Sequence, residues 1–266
     1  MKISSLIDKY YDKFLIDRSD FNSFLNESIH SKDSVIGIIN SDEYLKESIK
    51  NNSNINLFSL DDYIIKRYEL SKLKEIFFVD SEIENLKNIR YLKRVLEYFY
   101  DSLSDDGYIV LRVVNFQKVE DLNILNMPII DVEEFNINIS KSYTKSDDNE
   151  IETRFKIEDH NGNILSEEAN KVFGVKKQDL IYLLSNIGYN EIEMFGNFDQ
   201  QKFNEKSSNF LILRARKRKN ILKDSDEYEE YTDNYLKEKK CCSANNNTCN
   251  KGCNKNSCCK RNIEII

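Results

Sequence analysis

The sequence alternates short apolar runs with longer segments of helical periodicity, and this alternation constrains the fold more than any other feature. Four runs are rich in Ile, Val, Leu and Phe and are five to seven residues long, which is typical of buried strands. They lie at 34–39, 54–58, 74–80 and 108–114. The clearest helical segment between them, 85–104, places its apolar residues on one face. A β-α-β-α-β-α-β order predicts an α/β fold with a parallel sheet wound by helices.

The second half of the chain shows a different pattern. Three consecutive runs predict antiparallel strands at 135–144, 150–158 and 163–173, and the Asn-Gly pair at 161–162 predicts a hairpin turn. A helix is predicted at 175–187, with Gly188 ending it. The remaining predictions are two amphipathic helices within 2–29, a helix start at 41–44, a helix to about 71, a turn at 104–107 and final strands at 190–196 and 208–216.

The composition of the chain indicates which partners to expect and where its domains begin and end. The net charge of -7 opposes binding to phosphate backbones, so we expect no nucleic-acid partner. Since no apolar run reaches 18 residues and the first residues lack a compact apolar stretch, we expect neither a membrane partner nor a secretory signal, and a cytoplasmic location. The predicted divisions are an N-terminal helical segment at 1–33, a main domain at 34–217, a charged linker or helix at 218–240 and a tail at 241–266.

The tail contains every cysteine of the chain. The pattern is CC-x6-C-x3-C-x4-CC, which holds six sulfurs on a short, lysine-rich segment. Such a segment can wrap thiolates around a soft metal such as zinc or copper(I). A disulfide knot and a tail without a function are the alternatives; a cysteine-free main domain suits a reducing compartment, which favours the metal. The metal-ligand candidates are Cys241, Cys242, Cys249, Cys253, Cys258 and Cys259.

From Val35 to Lys217 the chain resembles the class I S-adenosylmethionine-dependent methyltransferases. The segment LSDDGYIVLRVVN at 103–115 resembles the family's helix end, Asp-Gly turn and fifth strand. KKQDLIYLLSNIGYNEIEMFGNFD at 176–199 resembles its last helix and sixth strand, and SSNFLILRARK at 207–217 its final strand. The resemblance implies a Rossmann-like sheet with an antiparallel insertion. It also implies methyl transfer to a small-molecule acceptor.

The cofactor half departs from the family's pattern. The family's first strand ends in a glycine-rich loop, whereas Gly37 is the only glycine before Gly107 here. VIGIINSDEYLKESI at 35–49 resembles instead the family's second strand and the helix after it, which implies a sheet shortened at its N-terminal edge. In the family that strand ends in an acid that holds the ribose hydroxyls; Ile39 or Asn40 stands there in this sequence.

The resemblance also implies site residues. Asp80, at the end of the fourth strand, and Asn115 would lie at the transfer site. The cofactor would contact Tyr11, Asn40, Asp61 and Asp62, with the two aspartates near the adenine amino group. Helix capping by Asp61, Asp62 and Asp80, and packing by Tyr11, are the structural alternatives.

Two functions remain open at this point. The first is a methyltransferase-family enzyme that uses S-adenosylmethionine and a small-molecule acceptor. The second is a non-catalytic, methyltransferase-like module that binds a protein partner and carries a soft metal on its cysteine tail. The missing glycine loop favours the second, and the family resemblance favours the first; whether the chain is an enzyme is therefore left open.

Overall fold

The computed structural model describes most of the main domain. All of the described residues lie in one unit, Met1–Lys219. They are 18–28, 35–39, 54–68, 70, 72–79, 83, 86, 88–146 and 150–218. Several predictions lie outside them: those on Tyr11, Asn40, Asp80, the first N-terminal helix, the helix start at 41–44, the charged segment beyond Arg218 and the cysteine tail.

The described residues form five α-helices, a short 3-10 helix and eleven strands. The α-helices are α1 (Arg18–Ser28), α2 (Leu60–Lys66), α3 (Ile89–Ser102), α4 (Phe116–Leu122) and α5 (Lys177–Ile187), and the 3-10 helix is Glu133–Phe135. The strands are β1 (Ile36–Ile39), β2 (Ile55–Phe58), β3 (Leu73–Val79), β4 (Leu103–Val114), β5 (Ile124–Asn126), β6 (Ile130–Val132), β7 (Ile137–Lys145), β8 (Glu150–Asp159), β9 (Ile164–Phe173), β10 (Tyr189–Phe195) and β11 (Phe210–Lys217).

A six-stranded sheet organises the domain in the order β10-β11-β4-β3-β1-β2. Strands β2, β1, β3 and β4 are parallel, while β11 runs antiparallel to β4 and β10 antiparallel to β11. The buried patterns of β1 and β3 agree with a sheet covered on both faces. The predicted α/β fold with a class I methyltransferase-like sheet is therefore confirmed.

The position of β1 corrects one prediction. β1 pairs with β2 on one side and with β3 on the other, so Ile38 lies beside both Leu57 and Phe77. In the doubly wound order 3-2-1-4-5-6, the strand next to strand four is strand one. Because β3 is the fourth-strand equivalent, β1 stands in the first strand's place, and its assignment as the second strand is wrong. β2 stands in the second strand's place and is the outer strand of the described sheet.

The second correction concerns the first residues of the longest strand of this sheet. A turn is predicted at 104–107, but these residues are the start of β4, with a register shift against β3. Gly107 is required there because a Cβ would lie 2.9 Å from the carbonyl oxygen of Ser104 and 3.1 Å from that of Lys74. The Asp-Gly pair therefore marks an irregular strand entry.

The two faces of the sheet are covered by different helices. On one face, α2, α3 and α5 contribute Tyr63, Phe99, Leu184 and other buried side chains to the largest apolar cluster. On the other face, Phe21 and Phe24 of α1 pack edge-on against Phe77 of β3. The predicted helix at 85–104 is shorter than expected, since α3 begins at Ile89 after Asn88, whose side chain accepts a hydrogen bond from the Tyr91 N–H.

The antiparallel insertion forms a second sheet. Its order is β5-β7-β8-β9, with β6 also paired to β7. The predicted hairpin between β8 and β9 is confirmed, and the Asp159 carboxylate accepts the backbone N–H groups of Asn161 and Asn163 in the turn. Strands β5 and β6 and helix α4 were not predicted. A shared cluster of Val114, Phe116, Tyr143 and Ile151 packs this sheet onto the end of β4.

Candidate functional site

The strand order places a reversal point between β1 and β3. From β1 the chain moves outward to β2, and it then returns through α2 to β3 on the other side of β1. In open α/β sheets, ligands bind outside the carboxyl ends of the strands at such a point. The strands β1, β2, β3 and β4 end here at Ile39, Phe58, Val79 and Val114. Functional side chains are therefore expected just after these residues.

Asp61 and Asp62 follow the end of β2, at the start of α2. Ser59 is the N-cap residue, and its hydroxyl oxygen accepts the backbone N–H of Asp62 at 3.2 Å. The same hydroxyl donates to the Asp62 carboxylate at 2.8 Å. The Asp62 side chain therefore takes part in a reciprocal capping interaction, while the neighbouring Asp61 side chain is exposed. The two aspartates, which are equivalent in the sequence pattern, differ in their surroundings.

The correction to β1 also changes what these acids could contact. In the family resemblance, the strand in second place ends in the acid that holds the ribose hydroxyls. Asp61 follows the strand that stands in that place, which β1 was expected to occupy. The adenine contact implied for Asp61 depended on taking β1 as the second strand, so the contact that Asp61 makes with a cofactor is a matter for the proposed function.

The described part of β1 offers no glycine cradle for a cofactor. A Cβ on Gly37 would lie 3.1 Å from the Leu73 side chain, so this glycine serves strand packing. Ile39, the last residue of β1, is fully buried in the core. Of the chemistry that S-adenosylmethionine requires, the described residues supply an exposed carboxylate after β2, which fits a pair of sugar hydroxyls.

Asn115 follows β4 and is almost completely buried. Its side-chain nitrogen donates to the carbonyl oxygens of Glu205 and Ser208, each at 2.8 Å. Its side-chain oxygen accepts the Lys118 N–H at 3.3 Å and so caps α4. Both amide hydrogens are thus used within the protein, and the geometry suits a residue that positions its surroundings.

The segment held by Asn115 connects β10 to β11. Lys118 adds two contacts to it, from its Nζ to the carbonyl oxygen of Ser207 at 2.8 Å and to the Asn209 side-chain oxygen at 2.7 Å. Lys177 forms an ion pair with Glu205 of the same segment. The carboxyl end of β4, the start of α4 and the start of α5 are therefore joined around one loop.

Two adjoining clefts open at this end of β4. The first holds about 10 Å³, room for one water molecule, and is lined by Val114, Asn115, Phe116, Gln117, Val175, Lys176, Lys177, Gln178, Phe203, Glu205 and Leu211. The second, also of about 10 Å³, is lined by Ile83, Leu92, Val113, Val114, Phe173 and Val175. Except for Asn115, these residues were not predicted as site residues. The sequence VFGV at 172–175 could have pointed to some of these residues, because it places apolar side chains just before α5.

The strongest pKa shifts belong to buried core tyrosines. Burial raises the pKa of Tyr63, whose hydroxyl donates to the Ser102 hydroxyl at 2.6 Å. Burial likewise raises the pKa of Tyr189, whose hydroxyl donates to the Leu96 carbonyl oxygen at 3.2 Å. Desolvation lowers the pKa of Lys217, which bonds to the carbonyl oxygens of Tyr100 and Leu103 at the end of α3. These groups stabilise the fold and do not line the clefts.

The remaining site predictions are not tested by the described residues. Tyr11, Asn40, Asp80 and the six cysteines all lie outside them. Within the described ranges, no group of three or more His, Cys, Asp or Glu side chains is arranged to hold a metal ion. None of the described helices is long and apolar enough to cross a membrane.

Comparison with solved structures identifies the fold. An S-adenosylmethionine-dependent methyltransferase from Clostridium acetobutylicum superposes with a TM-score of 0.61, at 12% identity, over 82% of this chain and 100% of that chain. An amino pentose methyltransferase from Micromonospora echinaspora, solved with S-adenosylmethionine bound, gives 0.52 at 9% identity, over 81% and 97%. The CcbJ methyltransferase from Streptomyces caelestis gives 0.51 at 13%, over 69% and 79%. No protein-family model and no curated protein matches the sequence. The domain has the class I methyltransferase fold.

Proposed function

We propose that this protein binds S-adenosylmethionine at the reversal point of its sheet and transfers the methyl group to a small-molecule acceptor. The observation that carries the proposal is the reversal of strand order between β1 and β3, at the edge where the parallel strands end. That is the edge at which this class of sheet binds ligands. The similarity to methyltransferases of known structure supports the same assignment.

The cofactor would supply a methyl group on a positively charged sulfur, which a nucleophile can attack. In the proposed site, the exposed Asp61 carboxylate accepts hydrogen bonds from the ribose hydroxyls, while Asp62 holds the start of α2. Tyr11 and Asn40 are proposed to complete the pocket, with Asn40 directly after β1. Asp80, directly after β3, is proposed to face the acceptor.

The proposed role of Asn115 is to position the transfer site. With its amide hydrogens donated to Glu205 and Ser208, Asn115 orients the loop that follows β10 at the carboxyl end of β4. Catalysis would then depend on holding acceptor and cofactor in line, since a well-oriented pair reacts far faster than two free molecules. In this proposal Asn115 positions the loop and does not itself contact the acceptor.

Calorimetry of the reduced, full-length protein with S-adenosylmethionine and S-adenosylhomocysteine tests the proposal. A dissociation constant below about 100 μM, equivalent to about -5.5 kcal/mol, is the expected result. Absence of binding at millimolar ligand would contradict it, because no transferase can act on this cofactor without binding it. Methyl transfer to candidate acceptors is the following step.

A second candidate function rests on the cysteine spacing of the tail. We propose that the six tail cysteines bind a soft metal ion, zinc or copper(I), under reducing conditions. In this case the main domain could serve as a non-catalytic module that binds a protein partner. Titration of the full-length reduced protein with each metal, against a variant with all six cysteines changed to serine, tests the candidate. Equal metal uptake by both proteins would exclude it.

A further inference from the structure

Strand β9 forms an open edge of the insertion sheet. In the order β5-β7-β8-β9 it pairs with β8 on one side, and no described strand pairs with its other side. It is ten residues long and contains no proline, and every residue from Glu167 to Lys171 is exposed. An edge of this length presents a row of backbone groups with which another strand can pair.

The other edges of the two described sheets are shorter or irregular. β2 has four residues, and β5 and β6 have three each. β10 has seven, but its pairing with β11 shifts register between Asn190 and Glu193, and Glu191 has a φ of +48° there. Such an irregularity protects an edge because it bends the strand. In β9 the register shifts only at the start, opposite Ile157 and Glu158, and the remainder is regular.

The hydrogen bonds of β8 show which of its backbone groups face β9. The Ser146 N–H, just after β7, donates to the Glu150 carbonyl oxygen at 3.1 Å. The Asp159 N–H donates to the carbonyl oxygen of Asn163, just before β9, at 2.9 Å. Backbone direction alternates along an antiparallel strand. The even-numbered residues of β8 therefore bond to β7, and its odd-numbered residues bond to β9.

The pairing of β8 with β9 then determines which backbone groups of β9 face outward. The odd-numbered residues of β8 lie opposite the even-numbered residues of β9 from Ser166 to Val172. The N–H and C=O groups of these even-numbered residues are thus directed at β8. Those of Glu167, Ala169 and Lys171 are directed at the open edge.

Two copies of β9 can pair antiparallel about a two-fold axis, and one register fits their charges. Backbone bonding requires odd-numbered residues of one copy to face odd-numbered residues of the other. With the axis at Ala169, Glu167 of each copy faces Lys171 of the other. An axis at Glu167, Glu168 or Lys171 would place like charges opposite each other. An axis at Asn170 would place Glu167 and Lys171 opposite uncharged side chains. The favoured register also brings the smallest of these side chains, Ala169, to the axis.

The charges of β8 continue this pattern on the same face of the sheet. Lys156 lies opposite Glu167, and Glu152 lies opposite Lys171. Each row across the two copies would therefore run Lys156, Glu167, Lys171, Glu152, with the last two residues from the second copy. Its charges alternate over four strands, and opposite charges on facing strands stabilise their pairing.

Contacts within one chain are compatible with this pairing. Glu167 contacts Arg154 through one carboxylate oxygen at 2.9 Å, and the ammonium group of Lys171 contacts Glu150 at 2.9 Å. A carboxylate accepts hydrogen bonds at two oxygens and an ammonium group donates three hydrogens, so each can hold more than one partner.

We propose that this protein forms a symmetric dimer through β9, with Ala169 on the two-fold axis. The two insertion sheets then join into one sheet in which eight strands follow each other. The proposal concerns assembly and holds or fails independently of the proposed function. Because pairing through one strand buries less surface than a standard protein interface, the dimer is expected to dissociate reversibly, with a dissociation constant on the order of 10 μM.

Sedimentation equilibrium of the full-length protein measures the association. A reducing agent keeps disulfides between tail cysteines from linking the chains. The expected result is a reversible monomer–dimer equilibrium in the micromolar range. A protein that stays monomeric up to about 300 μM would overturn the proposal.

Charge variants test the register. Glu167→Lys places two lysines opposite each other and is expected to weaken association at least about tenfold, and Lys171→Glu does the same with two carboxylates. An equal mixture of the two variants should dimerise again, because every facing pair is then of opposite charge. Glu193→Lys, on the edge strand β10, is the control and should dimerise like the unaltered protein. Unchanged dimerisation of either β9 variant alone, or no recovery in the mixture, would overturn the proposal.

Proline variants test the backbone contact. Ala169→Pro removes an N–H that faces the open edge, so it should abolish the dimer and leave a folded monomer. Asn170→Pro removes an N–H directed at β8 and is expected to destabilise the fold itself, which thermal melts would show. A dimer of folded Ala169→Pro would overturn the proposal. If Ala169→Pro does not fold, the mixture of charge variants decides.

Discussion

The side-chain nitrogen of Asn115 lies 2.8 Å from the carbonyl oxygen of Ser208, a residue 93 positions further along the chain. The contact joins the end of β4 to the segment before β11, which pairs with β4 in register from Phe210 to Arg216. The same amide caps α4 through its oxygen. One buried side chain therefore fixes both a helix start and a loop at the carboxyl end of β4.

Replacing Asn115 should destabilise the domain. Asn115→Ala leaves the Glu205 and Ser208 carbonyl oxygens without their donor and removes the cap of α4, so we expect a loss of about 2–3 kcal/mol in the free energy of unfolding. Urea titration followed by circular dichroism measures it. Asn138→Ala, at a half-buried position of β7, is the control and should change stability by less than about 1 kcal/mol. Equal losses in both variants would show that the buried amide contributes nothing specific.

Asp61 and Asp62 should have separable roles. Asp61→Asn is expected to weaken S-adenosylmethionine binding at least about tenfold, since a neutral amide accepts hydroxyl hydrogen bonds more weakly than a carboxylate. Its melting temperature should not change. Asp62→Asn weakens the capping interaction with Ser59 and should lower stability by about 0.5–1 kcal/mol, with a smaller effect on binding. Calorimetry and thermal melts of the two variants check this, and the reverse pattern would assign the cofactor contact to Asp62.

Gly174 should be intolerant of a side chain. A Cβ at this position would overlap the ring of Phe116, which is packed in the core. Gly174→Ala is therefore expected to cost about 1–3 kcal/mol and to displace the Phe116 ring. Gly162→Ala is the matched control: nothing lies within 4 Å, although its φ of +85° disfavours alanine by about 1 kcal/mol. Denaturant unfolding compares the two. A smaller loss for Gly174→Ala than for Gly162→Ala would mean that the ring moves without cost.

Stability should fall at alkaline pH because of Tyr63. Burial raises the pKa of its hydroxyl above the ordinary 10.0, so the folded state retains a proton that the unfolded chain releases. The stabilisation is present below about pH 10 and is lost as the pH rises above that value. Tyr63→Phe should lose about 1–2 kcal/mol at neutral pH, with the hydrogen bond to Ser102, and should flatten the alkaline decline.

The comparison uses urea midpoints from about pH 8 to about pH 11. Tyr68→Phe is the control, because Tyr68 is 84% exposed and its hydroxyl accepts only a surface hydrogen bond from Arg67. An alkaline decline of the same slope in Tyr63→Phe and in the unaltered protein would contradict the assignment. Part of the alkaline decline in stability should remain in Tyr63→Phe, because burial also raises the pKa of Tyr189.

Local features of the fold were predictable because their causes lie within a few residues. The strands β1, β2, β3 and β4 coincide with the apolar runs of the sequence. The end of α5 was predicted from Gly188, whose φ is 115° and whose N–H bonds back to Leu184 and Ser185. The capping alternative for Asp62 was also available, since Ser59 stands three residues before it.

The candidate site was predictable only in outline. The motif of an apolar strand followed by Asn drew attention to Asn115, but its hydrogen-bond partners come from positions 205 and 208. Most of the residues that line the two clefts at the end of β4 carry no sequence signal, because β4, β9 and the loop before β11 bring them together from distant positions. Resemblance to a family suggested a chemistry, whereas the hydrogen-bond partners of Asn115 come only from the tertiary structure.

The sequence alone determined the α/β class, the antiparallel insertion and the distinct cysteine tail, because periodicity, turn residues and residue spacing act over short distances along the chain. Only the tertiary structure decided which strand β1 lies beside. Strand order depends on where each crossover returns to the sheet, and that choice is made by packing among residues far apart in sequence. The same long-range packing gave Asn115 its partners at Glu205 and Ser208 and brought Lys176 within 2.9 Å of Glu120.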